Sequence, residues 1–382
     1  MNYLIMNKNE KIAKFSVEDT DYGKFYRYLD IIPQRLPFKL LRLEEFIKSR
    51  TVIIDRYGLK DKLAEVGIRD SIDLINLTYG VSMVDTFWIK QEDDKRLWEN
   101  VSPFNRDLQF DLSWFFKNPK DDSIYKGIPD YSTDGNFPKC WINIRNINTL
   151  IKCGTSGAYN AGLEPLSEIL FPQIAQKLQF NNYVRYRRYD VPYSKFSKHY
   201  KAPGLLKELI DIKEGKRFAS LCRCFTDENH GLVTVKELGL QSIEEIIIFA
   251  KEHCINWKDI CNIYLTDALG FNEDRHNGNI GFIFDTNTFE IFSVAPMYDN
   301  NLSLLCYYDD REDLQEYVSQ LRAKGDIDFI DLARKMLEYI PEKEQFVKDI
   351  SKNFQFNCDF QVNVERLSML SNLVQNQAKR II

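Results

Sequence analysis

The polar run Asn272-Glu273-Asp274-Arg275-His276-Asn277-Gly278-Asn279 follows an apolar stretch, and Asp299 closes Ala295-Pro296-Met297-Tyr298-Asp299 twenty residues past Asn279. An aspartate can orient an acceptor hydroxyl. An amide and a second carboxylate can hold magnesium, which prefers oxygen ligands and keeps several waters. Phosphoryl transfer from ATP needs those parts, plus cations on the phosphate oxygens, and little covalent chemistry besides. An Asp followed five residues later by Asn, then by an apolar hairpin and another Asp, supplies the parts in order. The plainer alternative is an Asn/Gly-rich turn followed by a structural aspartate.

The elements around this run must hold it in place. Apolar spacing predicts a helix over 257–269 before it, and short strands over 281–284 and 289–294 after it. Further upstream, 140–145 and 149–153 read as a strand pair around Asn146, and Lys152 lies on the second strand. A glycine-rich loop over 154–162 leads to a helix predicted over 163–178. Strands are expected over 183–189 and 218–225, with a short helix over 205–212. Helices are predicted over 38–49, 59–77, 242–253, 311–323, 329–339, 343–352 and 362–381. The loop 117–138, rich in Pro, Asp and Ser, is a plausible boundary. The expected organisation is therefore 1–120, an α+β region; 121–235, a small sheet with one helix; and 236–382, a mostly helical part. Two parts of unequal character predict a cleft between them, a common place for a ligand.

Composition excludes several classes. The chain has 382 residues, which at about 150 per domain suggests two or three units. Hydrophobic residues make up 44% and charged residues 28%, so wholesale disorder is excluded. The net charge of −5 argues against a generally basic nucleic-acid binder. No apolar run is long enough to span a membrane, and the start lacks a secretory apolar region. The eight cysteines include no Cys-x-x-Cys pair and read as buried small hydrophobes in a reducing, cytoplasmic setting. Four histidines without His-x-x-x-His spacing argue against a zinc hydrolase. The 153–162 loop lacks both Gly-x-G-x-x-Gly and Gly-Lys-Ser/Thr, so it is neither a dinucleotide fingerprint nor a Walker loop. Arg185, Arg187, Arg188, Lys195, Lys198 and Lys201 interleave with tyrosines. That stretch could bind an acidic partner, although a charged strand face is more often simply solvated.

Taken together, these motifs resemble the HipA-like serine/threonine kinases, relatives of the phosphatidylinositol 3-/4-kinases. Asp-Arg-His-x-x-Asn resembles their catalytic loop, and Ala-Pro-Met-Tyr-Asp their metal-binding segment. Ser132-Thr133-Asp134-Gly135-Asn136-Phe137-Pro138-Lys139 is similar to their phosphate-binding loop. Glu164-Pro165-Leu166-Ser167-Glu168 matches the start of the helix after their lysine strand. Ser82-Met83-Val84-Asp85-Thr86-Phe87-Trp88 resembles the leader region of Gram-positive members.

The resemblance implies an α+β, two-lobed protein-kinase-like fold of the HipA/PI-kinase type, with an extra N-terminal α+β region and a mostly helical C-terminal lobe. It implies ATP and Mg2+ as cofactors and Asp274 as catalytic base. Lys152 would sit on the phosphates and pair with Glu168, leaving Glu164 as a helix-start acid. Asn279 and Asp299 would hold metal, and Arg275 and His276 would brace the loop. Nucleotide contacts fall on Ser132, Thr133, Asp134, Gly135, Lys139, Lys152, Cys222, Cys224, His276, Asn279 and Asp299. Cys222 and Cys224 belong to a hinge, where Arg223 departs from the family's usual pattern. The resemblance also implies an unidentified protein substrate, an antitoxin-like partner and autophosphorylation at Ser132. A lipid kinase and a non-catalytic pseudokinase or interaction module are the alternatives.

Overall fold

The computed structural model describes residues 1–21, 23–32, 38–51, 70–105, 137–192 and 201–382. Among the described residues the fold is α+β, with three separate antiparallel sheets and a helical C-terminal region into which the third sheet's hairpin is inserted. Among the described residues, no helix is long and apolar enough to cross a membrane.

The first sheet has the order β3-β2-β1-β4, formed by β1 (Asn2–Asn7), β2 (Glu10–Thr20), β3 (Gly23–Ile31) and β4 (Phe87–Gln91). Its first three strands form a meander within the expected α+β region 1–120, whose strands the apolar pattern does not divide. Tyr3, Ile5, Ile12 and Phe15 are wholly buried on its inner face. Helices α1 (Leu43–Ser49), α2 (Ser71–Thr78) and the short α3 (Trp98–Val101) pack beside it. The Asp70 carboxylate caps α2 by accepting from the Ile72 and Asp73 amides. Most of the predicted helix 59–77 lies outside the described residues.

Asp85, from the Ser82–Trp88 motif, is fully buried and is pinned by Arg50 at 2.6 Å and Lys39 at 2.8 Å. Burial alone would raise its carboxyl, but Arg50 and Lys39 outweigh that and hold it at about 2. A carboxyl lowered on folding adds stability that is complete above its unfolded value near 4 and drains away as the pH falls toward 2. Replacing Asp85 leaves two cations buried without it. Asp85→Asn is therefore expected to cost about 3 to 5 kcal/mol in a urea melt. The variant should also lose part of the wild type's acid sensitivity between about pH 4 and 2. An unchanged melt would contradict this role.

The second sheet has the order β5-β6-β8-β7: β5 (Lys139–Ile144), β6 (Ile147–Cys153), β7 (Tyr186–Pro192) and β8 (Lys216–Arg223). Asn146 takes a positive φ of 62° at the β5–β6 turn, a conformation asparagine tolerates better than most residues. The predicted helix over 163–178 is two helices, α4 (Glu164–Leu170) and α5 (Pro172–Lys177). Pro172 lacks the amide needed to continue the ladder and starts the second helix instead. A short helix, α6 (Gly204–Leu209), packs on the glycine-rich loop, where the Leu205 amide donates to the Tyr159 carbonyl at 3.0 Å.

The third sheet is β9 (His230–Thr234), β10 (Gly281–Asp285) and β11 (Ile291–Val294), with β10 in the centre. The sequence reading found the β10–β11 hairpin but not β9. β9 ends in a capping box, in which Thr234 and Glu237 satisfy each other's amides and start α7 (Val235–Leu238). The first sheet leans on this one. Phe87 stacks on Phe284 at 6.3 Å, and the Leu232 amide donates to the Val84 carbonyl at 2.7 Å.

The helical region comprises α8 (Ile243–Glu252), α9 (Lys258–Gly270), α10 (Leu314–Gln320), α11 (Phe329–Tyr339), α12 (Glu344–Lys352) and α13 (Val364–Ile381). α9 is buried on every side from Ile260 to Gly270, the mark of a central helix. A Cβ on Gly270 would lie 2.4 Å from Phe171 Cε2, so this close crossing of α9 and α5 needs glycine. Phe271 then adopts a left-handed φ of 54° and turns the chain out of α9 into the polar run.

Candidate active site

The strand β6 carries Lys152 to the sheet face covered by α4. There its ammonium ion-pairs with Glu168 and also reaches Asp299 Oδ1 at 2.6 Å. The lysine is almost wholly buried, as is Glu168. Burial opposes the lysine's charge, but Asp299 and Glu168 outweigh it and lift the ammonium above its ordinary value. Burial pushes the Glu168 carboxyl up, while Lys152 and the Ser220 hydroxyl, which donates to its Oε2, pull the other way. Asp299 would rise through burial, yet Lys152 and then Lys139 hold it at about 2. Lys139 is the cross-strand neighbour of Lys152 in the β5–β6 register. Two lysines are thus gathered next to one carboxylate.

Asp299 sits at a left-handed φ of 53°, a conformation available to aspartate at modest cost. Its amide donates to the Tyr186 hydroxyl at 3.1 Å. Its neighbours on both sides are tied to one residue. Arg275 donates to the Tyr298 carbonyl at 2.6 Å and to Asn300 Oδ1 at 2.6 Å. The same guanidinium donates to the Asn279 carbonyl at 2.7 Å and forms a two-pronged ion pair with Asp267, at 2.9 and 3.0 Å. Arg275 and Asp267 are both buried, and that planar fork fits a carboxylate in a way lysine cannot.

The loop itself is compact. The His276 amide donates to the Asp274 carbonyl at 2.8 Å, and Nδ1 of His276 accepts from the Gly278 amide at 2.9 Å. Asn279 Nδ2 donates to the Asp274 carbonyl at 3.0 Å, which leaves Oδ1 as the atom the amide can offer a cation. Tyr298 closes the loop by donating to the Gly278 carbonyl at 2.8 Å. Asp274 is half-buried. Burial raises its carboxyl and the charge of Asp299 adds to that, against the attraction of His276 and Lys324.

Glu164 lies one turn before Glu168 and does a different job. Its Oε1 accepts from the Thr155 amide at 3.1 Å and from the Tyr307 hydroxyl at 2.8 Å. It therefore anchors the glycine-rich loop to α4 and to the segment that follows Asp299. In the predicted hinge, Cys222 packs with Val184 and Tyr186, and burial pushes its thiol up. Cys224 packs with Met83 and Trp141, while Arg223 between them is exposed. Thr226 donates to the Met83 carbonyl, so the Ser82–Asp85 stretch is bound to the hinge. Of the basic stretch, Arg185 and Arg187 are exposed, and Arg188 is occupied by Asp190 and the Asp211 carbonyl. Lys195 and Lys198 lie outside the described residues.

The structure brings Lys139, Lys152, Glu168 and Asp299 into one cluster, and Arg275 links that cluster to the Asp274–Asn279 loop. Ser132, Thr133, Asp134 and Gly135 lie outside the described residues. The sequence reading missed Asp267, Ser220, Tyr186 and Asn300. For Asp267 there was a signal: a lone acid inside the apolar stretch Ile263-Tyr264-Leu265-Thr266-Asp267-Ala268-Leu269 needs a buried partner.

Among the described residues, no three His, Cys, Asp or Glu side chains are grouped to hold a metal by themselves. The donor set available is one carboxylate, Asp299, and one amide oxygen, that of Asn279. These are hard oxygen donors of the kind magnesium accepts when phosphates and water complete its shell.

The sequence matches no protein-family model and no curated protein. Among solved structures, the chain is similar to the crystal structure of a Helicobacter pylori proinflammatory kinase, CtkA. That match has 18% sequence identity and a TM-score of 0.42, and covers 64% of this chain and 90% of that one. The likeness is a loose one.

Proposed function

We propose that the chain is an ATP- and Mg2+-dependent kinase of the HipA-like, two-lobed type, acting on serine or threonine hydroxyls of protein in the cytoplasm. Residues 1–120 form its N-terminal region, 121–235 its smaller lobe and 236–382 its helical lobe. The observation that carries this reading is Lys152, held between Glu168 and Asp299, with Arg275 joining the Asp299 segment to the Asp274 loop. A structural salt bridge would need one carboxylate. Two carboxylates on one buried lysine, beside a second lysine and an Asp–Asn loop, form a site for anionic phosphate and its cation.

In this reading the chain's residues work by position and charge. Magnesium-ATP, when bound, supplies the transferable γ-phosphoryl group and the charge that offsets it. Lys152 and Lys139 attract phosphate oxygens. Asp299 and the Asn279 amide oxygen are the metal's ligands. Asp274 takes the proton from the acceptor hydroxyl. Burial and the charge of Asp299 raise its carboxyl, which makes it a better base than an ordinary aspartate. Tyr186 and Arg275 keep Asp299 in its strained conformation without touching substrate.

Incubation with magnesium and γ-labelled ATP, alone, with serine-rich protein acceptors and with inositol lipids, tests the reading. Label in protein, including Ser132 of the chain itself, is the expected result. Label in lipid alone reassigns the acceptor. No label in any acceptor despite ATP binding removes the enzyme reading in favour of an interaction module.

A further inference from the structure

The Lys139–Lys152 pair is one step of a row. β5 and β6 run antiparallel, and two residues along from the lysines Trp141 stands opposite Leu150. Side chains alternate along a strand, so Trp141 and Leu150 lie on the same sheet face as Lys139 and Lys152, about 7 Å further along. Cys140 and Ile151 between them point the other way, into a separate apolar cluster. Leu150 also packs on the cluster of Tyr186 and Cys222, and the Tyr186 hydroxyl takes the Asp299 amide, so this face is the one that holds the site. Where the two lysines hold phosphates, the sugar of a nucleotide carries its base one step along, to Leu150 and Trp141.

That place is filled by the chain's own Met83. Its side chain is wholly buried against Trp141, with Phe104, Leu150 and Cys224 around the pair. Its carbonyl accepts from the Thr226 hydroxyl, just past the hinge. Trp141 is only 7% exposed, and its indole N–H has no hydrogen-bond partner among the described residues. A buried donor left without an acceptor costs free energy, and apolar neighbours do not relieve that cost. The edge of a nucleobase carries ring nitrogens that accept such a bond. Methionine is unbranched, with freely rotating side-chain bonds, and gives way more readily than a branched or aromatic side chain. A yielding side chain over an unsatisfied donor has the character of a stopper.

We propose that Met83 is an autoinhibitory stopper at the nucleobase end of the cleft. ATP binds by displacing it from Trp141. The base then lies on Leu150 with its edge toward the indole N–H, which donates to a ring nitrogen. The stopper rests on the kinase reading, because that reading puts phosphates on the two lysines. It adds a regulator to the same site. Asp85, two residues past Met83, is ion-paired with Lys39 and Arg50, so the N-terminal region sets how firmly the stopper is held.

Isothermal titration of the full chain with magnesium-ATP, and with tripolyphosphate, which lacks a base, tests this. Met83→Ala is expected to bind ATP about tenfold more tightly than the wild type, and Thr226→Val, which frees the Met83 carbonyl, about threefold more tightly. Trp141→Phe keeps a ring but loses the N–H, and should bind ATP about tenfold more weakly. Tripolyphosphate should bind the wild type and every variant alike. Far-UV circular dichroism checks folding, and Thr226→Val decides the matter if Met83→Ala does not fold. Unchanged or weaker ATP binding in the folded stopper variant overturns the proposal and leaves the kinase reading standing. So does an equal gain for tripolyphosphate, which would place the effect away from the base. Unchanged ATP affinity in Trp141→Phe overturns the indole's part. Failure of both ATP and tripolyphosphate to bind the wild type and every variant removes the kinase reading, and the stopper with it.

Discussion

Asp274→Asn is expected to lower the initial rate of phosphate transfer by about a thousandfold, with nucleotide affinity nearly unchanged. The amide keeps the size of the carboxylate but cannot take the hydroxyl's proton. The loop around it is held by backbone groups, His276 and Asn279 bonding to the Asp274 carbonyl, so the geometry should survive the change. The wild-type rate should fall on the acid side as Asp274 takes up a proton. Burial and the neighbouring Asp299 raise its carboxyl, so this fall should lie above the ordinary aspartate range. A rate loss of less than about tenfold would place the base elsewhere.

Arg275→Met has the second large effect, and it acts on structure first. The guanidinium makes five hydrogen bonds to four residues: Asp267, Asn279, Tyr298 and Asn300. Its removal leaves Asp267 as an uncompensated charge inside the apolar helix α9. A cost of about 3 to 5 kcal/mol in a denaturant melt is expected. Arg275→Lys restores the charge but not the fork. It should therefore recover part of the stability, yet transfer phosphate much more slowly, because the Asn279 and Tyr298 carbonyls no longer share one rigid donor. Full activity in Arg275→Lys would show that charge alone is enough.

Much of the arrangement of the candidate site was legible in the sequence because it is built from a few residue types at short, fixed spacings. The Asp274–Asn279 run, the hairpin after it and Asp299 are local features, and Lys152 and Glu168 are separated by one loop and one helical turn. Helix periodicity also located α8, α9, α11, α12 and α13 within a few residues. What could not be read is what the chain brings together from afar. Asp85 reads as one more acid in a motif, and only folding delivers Lys39 and Arg50 to it. The meander β1–β3 escaped because β3 alternates between half-buried and exposed positions, with Phe25 and Leu29 facing solvent, so its apolar pattern is weak. β9 is short, and its identity depends on pairing with β10, fifty residues later. Pro172 could have divided the predicted helix, but apolar spacing continues across it and hides the break.

The most direct test of the central claim is mass spectrometry of the protein and an added serine-containing acceptor after incubation with magnesium-ATP, with the wild type, Asp274→Asn and Asp299→Asn run side by side. The account predicts phosphate on a serine or threonine in the wild-type reaction and essentially none with either variant, although all three remain folded. Equal phosphate in all three reactions, or none in the wild type under conditions where it binds ATP, would contradict it.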